Sequence, residues 1–129
     1  MNRIQDTHLS IHAYVRINDG QLENYKKAGA VCMNLIQSQP DLLYYNFSYA
    51  QDDQGHKAYA REGYRNGEAL LKHCEENDEK IKELSKYSKF IKLECHCSSR
   101  DWEVVRGKLE GFGCEFWEID ANGSFNKNI

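Results

Sequence analysis

The sequence has little of what marks several special classes of protein. There is a single proline, Pro40, and no low-complexity stretch, so nothing reads as a linker within the 129 residues. Apolar runs are only a few residues long, far short of the roughly 20 that a membrane-spanning helix needs. The opening residues, MNRIQDTHLS, lack the apolar stretch of a secretory leader. Positive charge is not in excess: 17 Lys and Arg stand against 20 Asp and Glu, net −3. No basic face of the kind that nucleic acid requires is apparent. The five cysteines are odd in number and fit no disulfide framework. They read as small buried hydrophobes in a reducing compartment. No glycine-rich loop is present to cradle the phosphates of a nucleotide cofactor. These absences lead us to expect a cytoplasmic protein that engages neither nucleic acid nor membrane.

What is present suits one domain with a real core: 40% of residues are hydrophobic and 12% aromatic. Leu9 to Ile17 alternate, with Ile11, Ala13, Val15 and Ile17 on one side and His12, Tyr14 and Arg16 on the other, which is a strand. Asn18-Asp19-Gly20 forms a turn with Asp19 as helix N-cap. A helix follows from about Gln21 to Ser38, its apolar stripe Leu22, Tyr25, Gly29, Cys32 and Ile36, and Pro40 ends it. Leu42–Gln51 and Lys57–Tyr64 are strands joined by the turn 52–55. Asn66 caps a second helix whose first turn carries Glu68. That helix is predicted to break near Asn77-Asp78, to resume to Tyr87, and to bury Ile81 and Leu84. Phe90–Cys97 is a fourth strand with Ile91, Leu93, Cys95 and Cys97 on one face. Ser99 or Asp101 caps a short helix bearing Trp102, Val105, Leu109 and Phe112, ended by Gly111 and Gly113, and Cys114–Asp120 is a fifth strand.

The order is β-α-β-β-α-β, the ferredoxin-like split βαβ arrangement of an α+β fold, with an added helix-strand unit. The expected organisation is one domain over 1–120, its core 9–98 and its trailing unit 99–120, followed by a polar tail 121–129. Helices on one face leave the other face of the sheet open. That face carries His12, Tyr14, Arg16, Tyr44, Asn46, Tyr59, Arg61, Lys92, Glu94 and His96. Its mixture of charges and large aromatics predicts contact with a second subunit, most simply a homodimer.

The segment Glu62-Gly63-Tyr64, a turn, then Glu68-Ala69-Leu70-Leu71-Lys72-His73 resembles the antibiotic biosynthesis monooxygenase-like family. Its recognisable stretch is an acidic residue and an aromatic ending the third strand, then Glu-Ala, then a histidine on the second helix. Glu62, Tyr64, Glu68, Ala69 and His73 match it, Tyr64 standing where Trp is often found. The resemblance covers about residues 9 to 98. It implies a pairing of sheets into a dimeric α+β barrel. It implies also one of several chemistries: cofactor-independent oxygenation of quinols or phenols, haem degradation, or isomerisation. The haem-degrading pattern needs an Asn, a Trp and a His, and the first strand here has no Asn and the first two helices no Trp.

Strand parity turns Glu62 and Tyr64 toward the helices with Ala58 and Ala60, and His73 faces the same space. The small residues Ala28, Gly29, Ala58 and Ala60 leave room there for a small-molecule pocket. In such a pocket His73 could take a proton from a phenol or enolisable carbonyl, Tyr64 donate to the developing oxyanion, and Glu62 orient the histidine. That chemistry reduces oxygen directly and needs no cofactor. The leading expectation is therefore a cofactor-independent monooxygenase acting on a small quinol-like substrate. The alternatives are an isomerase of the same fold, or a non-catalytic dimeric module that binds a small molecule or serves a stress or regulatory role, its His73 a core residue bonded to a backbone carbonyl.

Two other constellations carry competing readings. Glu94-Cys95-His96-Cys97 invites a metal, but alternation turns the cysteines away from His96, and a closed tetrahedral site needs ligands that converge. His12 and His96 fall on neighbouring strands of one face, as a dimer contact, an interfacial site or two solvated histidines. The mixed charges of residues 75–89 read as the wet side of a helix.

Overall fold

A computed structural model describes residues 8–125. Five strands form one sheet in the order β2-β3-β1-β4-β5: β1 Leu9–Ile17, β2 Leu42–Asp52, β3 Gly55–Tyr64, β4 Ser88–Cys97 and β5 Glu115–Glu118. All neighbours are antiparallel except β4 and β5, which run parallel. Three helices connect them: α1 Leu22–Ile36, α2 Gly67–Ser85 and α3 Ser99–Leu109. The parallel β4–β5 pair follows from α3, because parallel neighbours require a crossover rather than a hairpin. The fold is thus α+β and ferredoxin-like with a trailing helix-strand unit.

The helices cover one face through two separate core clusters. Under α2 and α3, Leu9, Ile11, Tyr64, Leu70, Cys95 and Trp102 pack together. Under α1, Ile17, Tyr25, Cys32, Ala58 and Leu84 form the second. The α1 stripe read from the sequence is the buried one, with Tyr25, Gly29, Cys32 and Ile36 inside. Asn66 caps α2 as expected, its side chain accepting from the Ala69 amide. The break in α2 falls at Asn77 (φ −121°, ψ 16°).

Several local expectations need correction. Asp19 does not cap α1: Gly20 takes a left-handed φ of 76°, which carries the chain through a turn, and the helix starts after Gln21 without a side-chain cap. It also ends at Ile36, two residues early. Ser98, not Ser99 or Asp101, caps α3, accepting from the Asp101 amide. The Asp101 carboxylate, buried, instead accepts from the backbone N–H of Gly67 and ties the start of α2 to α3. Ile91 does not share a face with Leu93. The β1–β4 register slips between Val15↔Phe90 and Tyr14↔Lys92, a bulge that leaves Ile91 without a β1 partner and 49% exposed, while Phe90 takes the helix side. Ile81 is 41% exposed rather than buried, for a reason that lies in the site.

Candidate functional site

The two core clusters do not meet. Between them, walled by sheet and helices, lies a cavity of about 340 Å³, large enough for a small organic molecule. Ile11 and Leu109 of one cluster and Tyr25 and Leu84 of the other face it across the gap, with Ala13 and Ala60 forming part of its floor. Part of the room read from small residues is filled: the Phe47 ring occupies the space beside Gly29, 3.1 Å from where a Cβ would stand. Ala60 and Ala13 keep the cavity open instead. Ile81, Phe90 and Phe112 also line it while remaining substantially exposed, which places them at its mouth. This is why Ile81 escapes burial: the space below it is empty.

Glu62 and His73 both line the cavity, as parity predicted. Tyr64, fully buried, is not at the wall. Its hydroxyl donates to Glu62 Oε1 at 2.6 Å. The Tyr45 phenol, also on the cavity wall, likewise favours the charged form of this carboxyl. Burial pushes the Glu62 carboxyl up to about 7, with the two tyrosine hydrogen bonds pulling the other way by favouring the charged form. Burial of both phenols beside this carboxyl pushes them well above the ordinary tyrosine range, so they remain donors.

His73 is held by a different set of partners. Its Nδ1 lies 2.9 Å from Gln39 Oε1 and 3.3 Å from Asn77 Nδ2. The shorter contact makes Nδ1–H the donor to Gln39 and leaves the lone pair on Nε2. Nε2 has no hydrogen-bond partner among the described residues. Asn77, at the kink, donates to the His73 carbonyl at 3.0 Å, one turn back. Burial lowers the His73 imidazole to about 4, the Glu76 carboxylate opposing weakly, so the ring is neutral at neutral pH. The Tyr45 and Tyr64 rings flank it, centroids 5.8 and 5.4 Å away. Glu62 therefore does not orient His73, and Tyr64 is engaged with Glu62 rather than free to meet a substrate. The arrangement provides one buried carboxyl poised near neutrality and one neutral imidazole with an open acceptor.

Sequence reasoning did not single out Tyr45, Gln39 or Asn77. Tyr45 was available from parity, since Tyr44 and Asn46 were placed on the open face and Tyr45 lies between them. Asn77 was visible only as a helix breaker. Gln39 sits in the loop between α1 and β2, where no periodicity points to a partner 34 residues away.

The open face of the sheet is a connected array. His12 Nδ1 lies 2.5 Å from the Tyr59 hydroxyl and His12 Nε2 2.9 Å from Ser10 Oγ. Tyr14 stacks on Tyr59 at 4.8 Å, the His12 and His96 rings sit 4.5 Å apart, and His96 stacks on Trp117. Lys92 lies over Tyr14 and Arg61 over Tyr44. Burial and the adjacent His96 lower the His12 imidazole. Cys95 and Cys97 are buried on the opposite side from this array, and no group of three or more potential metal ligands converges among the described residues. Among the same residues no helix is long and apolar enough to cross a membrane.

No family model and no curated protein matches the sequence. Solved structures do. MupZ from Pseudomonas fluorescens superposes with a TM-score of 0.85 at 24% identity, over 95% of this chain and 97% of its own. A share that large includes residues of the α3–β5 unit. SnoaB, a cofactor-independent oxygenase from Streptomyces nogalater, gives 0.61 at 8% identity over 72% of this chain and 94% of its own. An antibiotic biosynthesis monooxygenase gives 0.55 at 18% identity over 67% and 92%. The chain has the fold of these proteins, as the Glu62-to-His73 stretch implied.

Proposed function

We propose that this chain is an acid–base enzyme of the antibiotic biosynthesis monooxygenase type, acting on a small, largely apolar substrate with an acidic C–H or O–H, such as a quinol. The observation that carries the reading is the Glu62 carboxyl, buried on the wall of a mostly apolar cavity and raised to about 7. A carboxyl titrating near the working pH is suited both to take a proton and to return it. The roles differ from those expected of the sequence. Glu62 is the base. The Tyr64 and Tyr45 hydroxyls stabilise its anion. Neutral His73, too weak a base at about 4, accepts a hydrogen bond from a substrate hydroxyl at Nε2 and so positions it.

In the oxygenase form of the reaction, Glu62 removes a proton and the substrate anion passes one electron to molecular oxygen. The carbon radical and superoxide combine through a new C–O bond to give a peroxide anion, which takes the proton back from Glu62 and becomes a hydroperoxide. The Glu62 carboxylate then removes the second proton from that carbon as the O–O bond breaks, and the departing hydroxide takes this proton from Glu62 and leaves as water, with a carbonyl left behind. One CH₂ and one O₂ become one C=O and one H₂O. The resemblance in fold to a cofactor-independent oxygenase supports the oxygen step.

The test is oxygen uptake across a panel of quinols, catechols and cyclic diketones, with an anaerobic arm. Glu62→Gln should lower turnover of an accepted substrate roughly 10²–10⁴-fold. His73→Ala, which removes a positioning contact, should act more on KM than on kcat. Full activity in Glu62→Gln would remove the carboxyl from the mechanism. Substrate conversion that proceeds equally without oxygen would establish the isomerase reading instead. The open-face array supports pairing of two copies through the sheet. Light scattering after size-exclusion chromatography should give twice the 15.0 kDa chain mass, and a monomer at micromolar concentration would refute the pairing.

A further inference from the structure

The mouth of the cavity has a chemistry of its own. Ile81, Phe90 and Phe112, from α2, β4 and the turn after α3, are 41%, 53% and 57% exposed there. An apolar collar of this kind favours a ligand with an apolar body. Two charged residues share the lining with it, Asp78 and Lys108. Asp78 has a partner, its carboxylate 3.1 Å from the Lys82 ammonium one turn along α2, an ammonium shared with Glu79 at 3.5 Å. Lys108 has no ion-pair or hydrogen-bond partner among the described residues. Its charge is also felt inside: burial and Glu62 push the Cys74 thiol, another lining group, up to about 11, and the Lys108 ammonium is the opposing influence. Among the described residues, the lining thus has one cation without an ion-pair partner, on α3, and one reactive carboxyl, on β3, with β1 and β4 between that strand and the helix's side of the sheet.

We propose that the substrate is an organic acid: a mostly apolar body that fills the cavity beside Glu62 and one anionic group held by Lys108 at the mouth. The inference rests on the cavity being the binding site and adds the class of molecule it takes. Lys108 acts in binding and orientation only. An anion fixed at α3 sets which carbon of the apolar body lies against Glu62. It also keeps the substrate's charge away from a carboxyl that must itself ionise, since two anions side by side would oppose each other.

Two fluorescent probes with the same ring system separate charge from shape: anilinonaphthalene sulfonate, which is anionic, and N-phenylnaphthylamine, which is neutral. Both should bind the folded protein and compete with each other. Lys108→Ala should weaken the sulfonate about 5-fold and Lys108→Glu about 10-fold or more, leaving the neutral probe within a factor of about 2, and Lys108→Arg should restore the sulfonate. Lys27→Glu, an exposed lysine on α1 outside the cavity lining, changes net charge equally and should alter neither. If both probes weaken together in Lys108→Ala, the lysine only shapes the mouth and the inference fails while the cavity stands. The inference fails in the same way if Lys27→Glu weakens the sulfonate as much as Lys108→Glu does. If neither probe binds the wild-type protein, the cavity reading fails and takes the inference with it.

Discussion

Glu62 and His73 make opposite demands on stability as pH changes, and this can be measured without knowing a substrate. Each tenfold change in proton affinity is worth about 1.4 kcal/mol. Glu62 rises from an ordinary 4.5 to about 7 on folding. Between those pH values the folded state holds its proton more tightly than the unfolded chain, so stability falls as pH rises, by about 3 kcal/mol in all. His73 drops from an ordinary 6.5 to about 4. Over that window the unfolded chain holds more protons, so stability rises with pH, again by about 3 kcal/mol. In the wild-type protein the two nearly cancel between about pH 4.5 and 6.5, and the remaining decline falls between about 6.5 and 7. Removing either group unmasks the other. Glu62→Gln should give stability that climbs with pH up to about 6.5, and His73→Gln stability that declines up to about 7. Urea denaturation at closely spaced pH values, followed by far-UV circular dichroism, reads both slopes. Comparing slopes rather than absolute stabilities removes the cost of the substitutions themselves. Parallel curves for the two variants would refute the account of this pair.

Two further predictions test how the site is framed. Gly63 faces Tyr44 across β2 and β3, and a Cβ there would stand 2.1 Å from the Tyr44 ring. Gly63→Ala should therefore cost roughly 1–3 kcal/mol by displacing a ring that Arg61 also covers, measured by the same urea titration. Asp101→Ala removes a buried acceptor for the Gly67 amide and the Arg100 guanidinium. It should cost about 1–3 kcal/mol, with faster amide hydrogen exchange at Gly67 at the start of α2; unchanged exchange there would show that the tie is not needed.

The parts legible in the sequence were those governed by a regular period. β1 is an uninterrupted alternation, and its bounds, its buried side and its open side follow directly. The α1 stripe is equally regular. Parity on β3 was sufficient to turn Glu62 and Tyr64 inward, and helical spacing to bring His73 to the same space. What period could not supply was irregular or non-local. A bulge at Ile91 reverses the face of every residue before it on β4, and no residue type in Lys89-Phe90-Ile91-Lys92 announces it. The left-handed Gly20 delays α1 beyond Asp19. The chemical roles we propose differ from those read in the sequence for a related reason. A histidine on an apolar helix face reads as the base when its neighbours are unknown. Depth of burial is the ground for proposing the carboxyl instead, since it lowers the imidazole and raises the carboxyl toward neutrality. The mouth lysine was unreadable, because Lys108 gains its meaning only from the empty space beside it and from Asp78 having found Lys82.

The central claim is that Glu62 is a carboxyl poised near neutral pH inside the cavity. The direct measurement is a pH titration of the glutamate side-chain carboxyl carbons by NMR in isotope-labelled protein, with Glu62→Gln to assign the signal. One carboxyl should titrate near 7 in the wild-type protein and vanish in the variant. A Glu62 signal that titrates near the ordinary 4.5 would contradict the account.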